Sequence, residues 1–104
     1  MNELIKKIEE SMAKLLAYDT KGFGDDARDV VNMMMSLVPG IINFYNDPKM
    51  SDVREDALYW PAQLERVIKA LENDDGFEIV DVLYNETRPN LMELRDMLVK
   101  RGLL

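Results

Sequence analysis

The stretch Phe77-Glu78-Ile79-Val80-Asp81-Val82-Leu83-Tyr84 decides the fold class. Its β-branched and aromatic residues suit a strand. Its two polar residues, Glu78 and Asp81, sit three positions apart, which breaks strict alternation and fits a helix. No other part of the chain offers a partner strand. The stretch is therefore read as helix, and the whole chain becomes all-α.

Outward toward the C-terminus, Val80, Leu83, Thr87, Leu91, Leu94 and Leu98 recur in steps of three and four. The phase runs through Pro89 unbroken, which predicts one kinked helix from about Asp75, ended by Gly102. Outward toward the N-terminus, Asn73-Asp74-Asp75-Gly76 breaks the chain. Helix three is predicted from Asp52 to Leu71, with Asp52 and Glu55 forming a variant capping box. Its seam is Val53, Ala57, Trp60, Leu64, Val67 or Ile68, and Leu71, and Tyr59 is placed outside near Asp56 and Gln63. Asn46-Asp47-Pro48-Lys49 reads as a turn.

Helix two is expected to run from a cap at Asp25 to Asn46. Its inner stripe is Ala27, Val30, Met34, Leu37, Ile41 and Tyr45, with Val31, Val38 and Ile42 beside it. Lys21-Gly22-Phe23-Gly24 reads as a loop, with Phe23 stapled onto the helix that follows. Helix one spans Asn2 to Tyr18, with Leu4, Ile5, Ile8, Met12, Leu15 and Leu16 on one face and Lys6, Lys7, Glu9, Glu10 and Lys14 on the other. Short connections between long helices imply antiparallel neighbours. The expected architecture is a single domain, residues 1–104, folded as an up-down-up-down four-helix bundle with proline-kinked helices. Pro39, Pro61 and Pro89 each fall inside a predicted helix, where a proline costs about 3 kcal/mol. Pro39-Gly40 is the expected point of any break, because glycine adds its own flexibility.

Composition narrows the functional classes. The chain has 104 residues and a net charge of −7, so phosphate backbones and anionic membrane surfaces are unfavourable partners. It has no cysteine, which removes disulfides and thiolate metal sites, and no histidine, which removes the commonest general base. Any metal site would be all-oxygen. The start lacks the apolar run of a signal peptide, no window is apolar enough to span a bilayer, and a cytoplasmic location is expected. In that setting the Asn85-Glu86-Thr87 sequon has no use. The sequence calls for no cofactor and names no catalytic residue.

One helix stands apart. No charged residue occurs from Val30 to Asn46. Asn32, Ser36 and Asn43 form a narrow polar stripe opposite the core face, flanked by Met33, Met35 and Phe44. A helix at the corner of a bundle normally shows charge to water. Either helix two is covered, for instance by the chain termini, or it buries a second face against another molecule. Methionines suit adaptable apolar contacts. Asn32, Met33, Met35, Ser36, Asn43 and Phe44 are therefore the candidate partner-binding residues. The partner is expected to be a protein or a second copy of the chain, with a homodimer favoured.

Acidic clusters carry the alternative, a Mg²⁺- or Mn²⁺-dependent hydrolase of a phosphorylated small molecule. They are Asp25-Asp26-Ala27-Arg28-Asp29, Asp52 with Glu55 and Asp56, and Asp74-Asp75 with Glu78 and Asp81. In an up-down bundle the first and third clusters meet at one end, joined by Asp19 and Glu72 and diluted by Lys21, Arg28 and Lys69. The plain reading of all three is helix capping and macrodipole compensation.

Glu78-Ile79-Val80-Asp81 resembles the second acidic motif of the MazG-type all-helical nucleoside-triphosphate pyrophosphohydrolases. Their first motif has no counterpart here, since Asp26 and Asp29 lie too far upstream, so that family is not assigned. A ferritin-like di-iron site fails for want of histidine. A calcium loop around Asp74-Asp75-Gly76 fails because Leu71 and Val82 fall on its first and last ligand positions. Residues Val82 to Leu91, a helix with an internal proline, resemble a pattern in small uncharacterised bacterial all-helical domains. That resemblance implies the fold and no activity.

Overall fold

The computed structural model describes residues 1–17 and 20–104, with Leu15, Thr20 and Lys21 described by their backbone alone. Expectations that fall on Tyr18, Asp19 and those three side chains lie outside the described residues. The chain is all-α, with no strand among the described residues, and forms an elongated bundle of 44 × 22 × 19 Å. Its elements are α1 (Asn2–Leu16), α2 (Thr20–Tyr45), a 3₁₀ segment (Pro48–Leu58), α3 (Tyr59–Glu72), α4 (Gly76–Val80), a π-helical turn (Asp81–Thr87) and α5 (Arg88–Lys100). The 3₁₀ segment leads into α3, and α4, the π turn and α5 follow one another directly. Four rods result.

Side-chain ties show how the rods run. Lys14 and Lys7 of α1 reach Asp26 and Asp29 of α2. Tyr45 at the end of α2 meets Trp60 at the start of α3. Arg66 reaches Glu78 and Glu86, while Tyr59 meets Asn90. Arg88 and Arg95 return to Glu9 and Asn2 of α1. Where several ties join two rods, residue numbers rise along one as they fall along the other (Tyr59 to Asn90, then Arg66 to Glu86 and Glu78), as antiparallel neighbours require. The core between them includes Leu4, Ile8, Ala27, Val30, Met34, Met50, Trp60, Val67, Val82, Leu91 and Leu98. The octet that decided the fold class is helical, burying Ile79, Val82 and Leu83. Leu16 departs from the expected inner face and is 71% exposed.

The prolines are accommodated in three ways. Pro39 sits inside α2, which continues through Pro39-Gly40 without a break. Pro61 is the third residue of α3, in the first turn, where backbone N–H groups lack intrahelical partners anyway. Pro89 follows the π turn. Arg88 N–H bonds the Leu83 carbonyl five residues back, widening the helix just before a ring that would otherwise crowd the preceding turn.

Two predicted boundaries are corrected. Lys21-Gly22-Phe23-Gly24 is the opening of α2 rather than a loop, and Asp25 is not its cap. Phe23 is buried, in a crevice lined by Ile8 and Ser11 of α1 and Ile79 and Leu83 of the fourth rod. Its burial, worth about 2–3 kcal/mol, offsets the roughly 1 kcal/mol cost of each flanking helical glycine. The N-terminal part of helix three is 3₁₀, capped by Asp47, whose side chain accepts from Lys49 N–H at 2.9 Å. Val53 leaves helical geometry at φ −123°, so Asp52 and Glu55 form no capping box. Asp52 is instead held by Arg101, with Nη2 to Oδ2 at 3.0 Å.

Helix ends follow local rules. Asp75 caps α4, accepting from Glu78 N–H at 3.1 Å. Gly102, at φ +76°, closes α5 as expected: Leu103 N–H bonds Leu98 O at 2.8 Å and Gly102 N–H bonds Val99 O at 3.1 Å. The end of α3 uses the same pattern, with Asp74 in the left-handed position.

Candidate functional site

The uncharged part of α2 buries Val30, Val31, Met34, Val38, Ile41 and Tyr45 against the core. Its opposite side stays open. Asn32, Ser36, Pro39, Gly40 and Asn43 are exposed, and Met35 is 56% exposed. Met33 and Phe44 are half-buried. They line two shallow grooves that Met1, Asn2 and Leu37 share, with Leu104 beside Phe44. The termini thus shield the Met33–Phe44 flank in part and leave the Met35 side bare. The six candidate partner residues therefore share one side of α2, as helical spacing requires.

The acidic clusters are largely engaged. Asp26 is 3% exposed and is gripped by Lys7 at 2.9 Å and Lys14 at 2.8 Å. Burial pushes its pKa up, but the two lysine hydrogen bonds and their charges outweigh this and hold it below the usual value. Lys7 is held above its own usual value, chiefly by the same bond. Glu78 and Glu86 share Arg66, at 2.8 and 2.9 Å. Asp25 pairs with Arg28 at 3.1 Å. The expected dilution by Lys21, Arg28 and Lys69 omitted Lys7, Lys14 and Arg66, which come from facing helices. Among the described residues no three acidic side chains gather so as to hold a metal ion.

Sequence reasoning missed a pocket of about 210 Å³ between the 3₁₀–α3 corner, the end of α2 and α5. Its aromatic side is Tyr45, Tyr59 and Trp60, the last two edge to face at 5.0 Å. Leu94 and Met97 add apolar surface, and Asp56, Asn90 and Glu93 supply polar groups. A buried network fixes the walls. Trp60 Nε1 donates to the Tyr45 hydroxyl at 3.0 Å, and the Tyr59 hydroxyl accepts from Asn90 Nδ2 at 2.6 Å and from Gln63 Nε2. Gln63, expected near the surface, is 2% exposed, and Tyr59 is half-buried. The available signal was the cluster Asp56, Tyr59, Trp60 and Gln63, set at helical spacing beside a proline.

No protein family, curated protein or solved structure matches the chain. The geometry carries the functional argument alone.

Proposed function

We propose that this chain is a small helical interaction protein that pairs with a second copy of itself through the open side of α2. The observation that carries the reading is the charge-free run from Val30 to Asn46, whose outer residues Asn32, Met35, Ser36, Pro39, Gly40 and Asn43 meet solvent. The occupant follows from charge. A chain of net −7 repels its own copies, and the run from Val30 to Asn46 brings no carboxylate of its own to a twin. A Cβ added at Gly40 would touch nothing within 4 Å, so the glycine leaves room for another helix to approach closely.

Solution mass tests the proposal. The wild type should be dimeric at about 100 μM, and Met35→Glu should be monomeric with unchanged helicity, because a charge desolvated in the interface costs several kcal/mol. Met34 is unsuitable for this test, being 1% exposed and part of the core. A wild type that stays monomeric at that concentration overturns the reading.

A further inference from the structure

The pocket beside Trp60 has its own chemistry, independent of α2 pairing. Three aromatic side chains line it: Tyr59 is half-buried, and Tyr45 and Trp60 are 4% and 3% exposed. Two further lining residues, Asp56 and Glu93, are exposed acids on opposite elements. Neither forms an ion pair or side-chain hydrogen bond among the described residues, whereas other acids of this chain have found a lysine or arginine. At about 210 Å³ the space is below that of drug-sized ligand sites and suits a fragment-sized guest.

We infer that this pocket binds a small alkylammonium ion, its apolar groups against the rings and its charge shared between the rings and the two carboxylates. Ring faces attract cations through their quadrupole, and the attraction grows as the cation loses water. Two unpaired carboxylates without basic neighbours in the lining exclude an anionic guest. The apolar surface of Leu94 and Met97 favours an organic cation over a strongly hydrated metal ion. The surplus negative charge of the chain raises the local concentration of any cation.

Trp60 is the only tryptophan and lines the pocket, so its fluorescence reports occupancy. Tetramethylammonium chloride, titrated against sodium chloride at constant ionic strength, should give a saturable change with a midpoint of about 1 mM. Asp56→Asn and Glu93→Gln should each raise that midpoint about fivefold to tenfold, because each removes one charge contact to the guest. Both side chains are exposed, so the fold should persist, and circular dichroism checks it. A lysine-trimethylated peptide that binds more tightly than tetramethylammonium would assign the cation to a protein side chain; equal affinity would assign it to a free amine. Three results would overturn the inference: no saturable change, an equal response to uncharged tert-butanol of the same size and shape, or midpoints unmoved in both variants.

Discussion

Trp60 donates its indole N–H to the Tyr45 hydroxyl across 3.0 Å, and both side chains are buried. The bond ties the end of α2 to the start of α3 across the 3₁₀ corner. Tyr45→Phe keeps the ring and orphans the indole donor, so it should cost about 1–2 kcal/mol at neutral pH. Burial raises the Tyr45 pKa; the Trp60 bond lowers it and Asp56 raises it again, leaving it above its ordinary value of 10.0. The unfolded chain therefore loses this proton first, and the contribution is full below pH 10 and lost as pH rises further. Chemical denaturation of wild type and variant should show their difference narrowing above that pH.

Asp26 gives the opposite pH dependence. Its carboxylate is held below the ordinary 3.8 in the folded chain, so its contribution is complete above that value and is lost as pH falls through the folded pKa. Asp26→Asn should destabilise at pH 7 by about 1.5–3 kcal/mol, the range for bonds to a charged group. The gap should close on acidification below pH 4. An undiminished gap there would mean that packing, and not the two lysine contacts, sets the loss.

Asp74 sits at φ +51° in the turn that ends α3, where a side chain is strained and glycine is not. Its carbon skeleton is exposed and its carboxylate has no partner among the described residues. Asp74→Gly should raise stability by about 0.5–1 kcal/mol and the melting temperature by a few degrees. Thermal unfolding checks the sign.

The bundle and its core were legible because helical spacing survives from Leu4 to Leu98. Leu4, Ile8, Val30, Met34, Leu91 and Leu98 were all assigned inward, and all are buried. The α2 opening was hidden because Gly22 and Gly24 read as loop, while the burial of Phe23 depends on the distant Ile79 and Leu83. Met50 was overlooked because its neighbours are polar, yet it is the fully buried residue of the 3₁₀ segment. The missing charges of α2 left two readings, a covered helix or a second contact face, and only the folded chain exposes Asn32, Met35, Ser36 and Asn43. Of the aromatic pocket only the Asp56, Tyr59 and Trp60 side was within reach of local spacing; Tyr45, Asn90 and Glu93 come from two other rods, and periodicity does not say which rods meet.

Gly24 offers a test of the corrected α2 boundary. It lies within α2, its φ is not positive, and a Cβ there would meet nothing within 4 Å. Gly24→Ala should then stabilise by about 0.5–1 kcal/mol, through higher helix propensity and a less free unfolded chain. A loop at this position would give only the unfolded-chain part of that gain and no change in amide protection. Amide exchange should also slow at Asp26 and Ala27, whose protection depends on the first turns of α2.

Thr87 closes the π turn, fully buried, with a hydroxyl that has no hydrogen-bond partner among the described residues. Burying a hydroxyl without a bond costs about 1–3 kcal/mol on mutational scales. Valine has the same branched shape and lacks the polar atom, so Thr87→Val should stabilise by about 1 kcal/mol. Thr87→Ser keeps the hydroxyl and deletes a buried methyl, and should destabilise by a similar amount. The pair separates two accounts of the turn. If the widened helix exists to seat Pro89 and the hydroxyl is incidental, valine gains and serine loses. If the hydroxyl bonds a carbonyl that the wider turn sets free, valine loses more than serine, and melting temperatures of the two variants will show the order reversed.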